Sequence, residues 1–148
     1  FVTRLPTSKP VTRTCVFVLL PISDAVISMG KYAFLVTGGP DRVGSVLNGI
    51  EYALTLDSSG HEIRVFLDGA ATKWPGELKR RVDHPLYEKF FELHDRNLLT
   101  ACAYCAEAFD ATDGCRAADI QLDGEPDERH APDVGRLVAD DFELLPVS

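Results

Sequence analysis

Along residues 31–147, short apolar runs alternate with stretches whose apolar positions recur every three or four residues. Lys31-Tyr32-Ala33-Phe34-Leu35-Val36 stops at Thr37-Gly38-Gly39-Pro40, the pattern of a strand feeding a loop. Asp41 stands where a helix N-cap belongs. Val43, Val46, Leu47, Ile50, Ala53 and Leu54 then follow at helical spacing, with Asn48, Glu51 and Thr55 opposite them and a stop at residues 57–60. In residues 61–67, Ile63, Val65 and Leu67 alternate with Glu62, Arg64 and Phe66 as a second strand. Residues 68–76 read as a long loop, and residues 84–96 as a helix whose apolar face is Leu86, Phe90, Leu93 and Phe91. A third strand over 98–101 runs into a helix that begins at Cys102 and ends near Phe109. Beyond it, residues 118–122 suggest a short fourth strand and residues 123–128 a solvated acidic loop. Pro132 fits a first helical position, with Val134, Leu137 and Val138 behind it, and residues 142–147 close the pattern as a strand.

Short apolar strands alternating with helices predict an α/β fold. Its form is three layers, α/β/α, around a mostly parallel sheet of about five strands. In such sheets ligands gather beyond the carboxyl ends of the strands. Those ends are the Gly38 to Asp41 loop, the Asp68 to Trp74 loop, and Cys102.

The 148 residues suffice for one domain with a buried core. Within them, residues 1–28 differ in character from the rest. They carry three basic residues against one acidic (+2), and Pro6, Pro10 and Pro21 interrupt any regular element; the remainder carries twelve basic against twenty-two acidic (−10). Residues 1–28 therefore read as an extension and 29–148 as the domain, with no role assigned to Cys15. A net charge of −8 disfavours nucleic acid and anionic membrane surfaces as partners. No run approaches the ~18 apolar residues that span a bilayer. Four cysteines, three of them between residues 102 and 115, are too few and too clustered for a secreted disulfide scaffold.

Candidate chemistry centres on Cys102-Ala103-Tyr104-Cys105. A helix start leaves main-chain N–H groups unpaired, which favours a thiolate, the reactive form of cysteine. Cys105, one turn on, could resolve a persulfide or disulfide on Cys102, or simply pack. Gly38, Gly39, Thr72, Trp74 and Tyr104 are expected to line a pocket around the pair, with Trp74 alternatively an exposed oligomer contact. Cys102, Cys105, Cys115 and His130 are legitimate zinc ligand types, but their irregular spacing leaves the expectation at no metal and no cofactor. The glycine-rich Gly38 to Ser45 stretch matches neither phosphate-loop fingerprint. His61, His84 and His94 read as surface or helix-end residues.

Taken together, Tyr32-Ala33-Phe34-Leu35-Val36-Thr37, Val65-Phe66-Leu67-Asp68-Gly69-Ala70, the Cys102 to Cys105 turn, and Pro132-Asp133-Val134-Gly135 with Glu143-Leu144-Leu145 resemble the DsrE/DsrF-like (TusD-like) sulfur-relay family. The resemblance implies a cytoplasmic, homo-oligomeric α/β protein that carries sulfur as a persulfide at the turn after the third strand, here Cys102. It would exchange that sulfur with donor and acceptor proteins. Not every member of the family has Cys105. The alternatives are a non-catalytic oligomeric interaction module of the same fold, or a dithiol-disulfide oxidoreductase.

Overall fold

A computed structural model describes residues 28–148. The division at residue 28 and the reading of Cys15 fall, but for Ser28, outside the described residues. Elements follow in the order β1 (Lys31–Val36), α1 (Val43–Ser58), β2 (Glu62–Leu67), α2 (Trp74–Arg80), α3 (Tyr87–Asp95), β3 (Leu99–Cys102), α4 (Ala103–Ala108), α5 (Thr112–Ala117), β4 (Gln121–Asp123), α6 (Val134–Ala139) and β5 (Glu143–Val147). The five strands make one sheet ordered β4-β3-β2-β1-β5, and every neighbouring pair is parallel. The expected three-layer α/β/α architecture is the one found, with a sheet that is parallel throughout.

Side-chain alternation along the strands divides the interior in two. Phe34 and Val36 of β1, with Ile63, Val65 and Leu67 of β2, pack against Val46, Ile50 and Leu54 of α1, Leu78 of α2, and Phe90 and Leu93 of α3. Cys115 of α5 and Ala106 of α4 belong to the same cluster. The residues between, Ala33 and Phe66, face the other way and meet Leu137 of α6 and Phe142. Among the described residues five helices thus cover one face and α6 covers the other. Pro146 lies in β5, an edge strand, where a missing N–H is tolerated.

That distribution fixes where the chain changes sides. The connection after β3 runs to the five-helix face, and the connection after β4 runs to α6 on the opposite face. β3 and β4 are neighbours, with Cys102 opposite Asp123 at their ends. The carboxyl ends of these two strands are a topological switch point, the position at which parallel sheets open a crevice.

Several local expectations change. Arg42, not Asp41, precedes α1, without a side-chain cap; its N–H closes a tight turn on Gly39 O at 2.8 Å. The expected loop over residues 68–76 is instead a 3-10 turn, Gly69–Lys73, running into α2. Pro75 and Gly76 look like helix breakers, yet Pro is well placed in a first turn. Gly76 is also where α2 meets α5: a Cβ on Gly114 would stand 2.8 Å from the Gly76 Cα, so the two glycines let backbones touch. α5 itself was not expected from the pattern. The helix drawn over 84–96 starts only at Tyr87, because Pro85 disfavours helical backbone at His84.

Candidate functional site

The Asp68-Gly69 step at the end of β2 builds the first wall of the site. Gly69 takes a left-handed φ of +52°, and its N–H donates to Asp68 Oδ1 at 2.8 Å. The carboxylate is thereby held at the sheet edge, with its side chain 31% exposed.

β3 supplies the second wall. Cys102 is both its last residue and the N-cap of α4, in extended backbone, and its Sγ accepts the Cys105 N–H at 3.4 Å. A second main-chain donor, Ala131 N–H, reaches the same sulfur at 3.3 Å from the β4–α6 connection. One turn into α4, the Cys105 thiol donates to Asp68 Oδ1 at 2.8 Å. The two sulfurs therefore hold opposite hydrogen-bonding roles: Cys102 accepts, and Cys105 donates. Burial, reinforced by the bond to Asp68 and by the nearby carboxylate and Cys102 sulfur, pushes the Cys105 thiol up to about 12 against the opposing pull of the Gly69 main chain.

His130 closes the site from the β4–α6 connection. Its Nδ1 lies 3.7 Å from Cys102 Sγ, 3.5 Å from Cys105 Sγ and 3.7 Å from Asp68 Oδ1. Its ring stacks on Tyr104, centroids 4.2 Å apart. One ligand-type atom from each of Asp68, Cys102, Cys105 and His130 lies within 4.8 Å of the other three. Beneath the exposed His130 ring the sulfurs are covered, with Cys102 2% and Cys105 4% accessible. Cys102 stands at the edge of the sheet that the rule for parallel strands gives it, but its sulfur lies under a histidine.

Of the residues expected around Cys102, Cys105 and Tyr104 are brought to it. Trp74 is not an exposed loop residue: it is fully buried, and its Nε1–H donates to Gly38 O at 2.8 Å. Thr72 is equally buried, its hydroxyl donating to Gly69 O at 2.7 Å. Gly38 and Gly39 are engaged in this packing; a Cβ on Gly39 would stand 2.9 Å from the Ala70 Cβ. Cys115 is separate from the cluster, a free core thiol that donates to Thr72 O at 3.4 Å and is pushed up to about 11 by burial. His84 is buried rather than on the surface, its ring edge-on to Trp74 and its Nδ1 accepting the Leu86 N–H. Asp68 received no role from the sequence. Its signals were an Asp-Gly pair and its place at the ligand-gathering end of the second strand.

The chain matches no model of a known protein family and no curated protein. Among solved structures it is similar to a conserved protein of unknown function, BT1422, from Bacteroides thetaiotaomicron. The two share 18% identity with a TM-score of 0.57, over 78% of this chain and 94% of that one. At that identity the likeness is one of fold. Among the described residues no helix is long and apolar enough to cross a membrane.

Proposed function

We propose that this protein is a small cytoplasmic sulfur carrier, working as a homo-oligomer, in which Cys102 receives sulfane sulfur from a donor protein and hands it to a partner thiol. The observation that carries this reading is the opposite bonding of the two thiols. Two main-chain N–H groups on Cys102 Sγ stabilise negative charge there, while the Cys105 proton is tied to Asp68. One sulfur is equipped as a nucleophile and its neighbour is restrained.

Loading is a thiol exchange. The Cys102 thiolate attacks the terminal sulfur of a donor persulfide R–S–SH, forming Cys102–S–SH as the donor S–S bond breaks and its electron pair leaves on R–S⁻. Unloading is the same exchange with an acceptor thiolate, so neither step needs an oxidant. Cys105 could discharge the persulfide as hydrosulfide by closing a disulfide on Cys102. Holding Cys105 protonated suppresses that loss. Donor docking would have to displace His130, the exposed member of the site.

Intact mass after incubation with a persulfide donor tests the reading. The metal-free protein gains about 32 Da, reversibly by reductant, and Cys102→Ser gains nothing while Cys105→Ser still does. A gain that survives Cys102→Ser, or no gain at all, overturns it. The proximity of the sulfurs favours a second reading, a dithiol oxidoreductase, which would show as a loss of about 2 Da without sulfur uptake. Thiols inert in both respects would leave an interaction module.

A further inference from the structure

We propose that Asp68, Cys102, Cys105 and His130 form a binding site for a single zinc(II) ion. This goes beyond the sulfur-transfer reading and does not depend on it. The set is built from three separate parts of the fold: the end of β2, the β3–α4 turn, and the β4–α6 connection. The switch point between β3 and β4 is what brings them together.

The donor chemistry selects the metal. Two thiolates, one imidazole and one carboxylate make a borderline-soft set of four, which suits tetrahedral zinc and is unsuited to calcium or magnesium. The spacing fits as well. With ordinary zinc–sulfur and zinc–nitrogen bonds, tetrahedral coordination sets sulfur and nitrogen about 3.6 Å apart. His130 Nδ1 stands 3.7 Å from Cys102 Sγ and 3.5 Å from Cys105 Sγ. The contact that must lengthen is Cys105 Sγ to Asp68 Oδ1, at 2.8 Å a thiol-to-carboxylate hydrogen bond, while His130 Nδ1 to Asp68 Oδ1, at 3.7 Å, must shorten slightly. An ion takes the place of that thiol proton, and the sulfur and the Asp68 oxygen separate by roughly 0.7 Å. Outer contacts of the kind that orient ligands are already present. Main-chain N–H groups of Cys105 and Ala131 point at Cys102 Sγ, Gly69 N–H holds Asp68, and Tyr104 holds the His130 ring.

Zinc in this position would occupy the Cys102 thiolate and cover it. The ion would therefore silence sulfur uptake until it is removed.

The test titrates the protein, reduced and freed of metal, with cobalt(II) and then with zinc(II). Expected are one ion per chain, the intense visible bands of tetrahedral cobalt with thiolate charge transfer in the near ultraviolet, and displacement by zinc. Cys115→Ser should bind as wild type. Cys102→Ser and Cys105→Ser should each lose roughly half of the charge-transfer intensity, one thiolate of two, and weaken binding on the order of a hundredfold. Because the His130 side chain is 58% exposed, His130→Ala should fold normally and still weaken binding. Absence of uptake at micromolar metal overturns the proposal. So does an octahedral spectrum, or unchanged binding in His130→Ala and both cysteine variants. The two proposals separate cleanly: zinc uptake without sulfur loading of the metal-free protein sinks only the carrier reading, and sulfur loading without zinc uptake sinks only this one.

Discussion

At the end of β1 the chain turns its polar groups inward and closes. Gly38 O takes the Trp74 Nε1–H, and the bare Gly39 Cα leaves room for Ala70. At the end of β3, on the same edge of the sheet, polar groups from three segments face one another over two sulfurs. Both turns carry residues that look functional in a sequence, one by its glycines and the other by its cysteines. The glycines at β1 are there because another part of the chain passes too close for a side chain. The cysteines at β3 sit at the switch point, where the connections to α4 and α6 leave for opposite faces.

This contrast predicts that the two ends fail differently. Trp74→Ala removes the largest fully buried side chain together with its bond to Gly38. It should destabilise the protein by about 3–5 kcal/mol, measured by denaturant unfolding, while any sulfur or metal uptake by the remaining folded molecules persists. Cys102→Ser should do the converse, costing less than about 2 kcal/mol and abolishing sulfur uptake. Equal stability losses in the two variants would erase the distinction. A smaller probe of the β1 end is Gly39→Ala, whose new methyl would lie 2.9 Å from the Ala70 Cβ and 3.2 Å from its carbonyl oxygen. Crowding of backbone cannot be relieved by a rotamer change, so a loss of about 1–3 kcal/mol is expected. A neutral result would mean the turn is open enough to hold a ligand after all.

What the sequence made legible was local. α1 and β2 show their periods because Glu62 and Arg64 stay exposed between the core positions of β2 and α1 turns one side to the same core. β1 shows as an unbroken apolar run because it is covered on both faces. The cysteine turn was placed on the right edge by the rule for parallel sheets alone. Asp68 was not found as a partner of Cys102, and His130 entered only as a zinc ligand type, since the meeting of the three depends on strand order, and strand order leaves no trace in residue spacing. The zinc-ligand grouping drawn from residue types took in Cys115 and missed Asp68. Cys115 is near the pair in sequence but points into the core, whereas Asp68 comes from an adjacent strand. Trp74 was misplaced for a related reason. Its indole can be sealed from water once a single carbonyl accepts its N–H, and that carbonyl, Gly38 O, lies thirty-six residues away.

The smallest expected effect bears on the division between the two thiols. Burial is the first cause of the high titration point of Cys105, about 12, and the bond to Asp68 is the next. Asp68→Asn keeps the shape and the burial but removes the negative charge that opposes a second anion beside it. The thiol should then ionise at lower pH, still above an ordinary cysteine because burial remains, and its thiolate fraction near neutrality should rise about tenfold. Alkylation of the metal-free protein, followed at the Cys105 peptide across pH, reads this directly: the variant should react faster at every pH below the wild-type titration. Cys115, raised to about 11 by burial without a carboxylate, serves as the internal reference and should not change. Faster reaction at both positions would indicate a loosened fold. An unchanged Cys105 would mean that burial alone restrains it, and Asp68 would have no part in setting the two sulfurs apart.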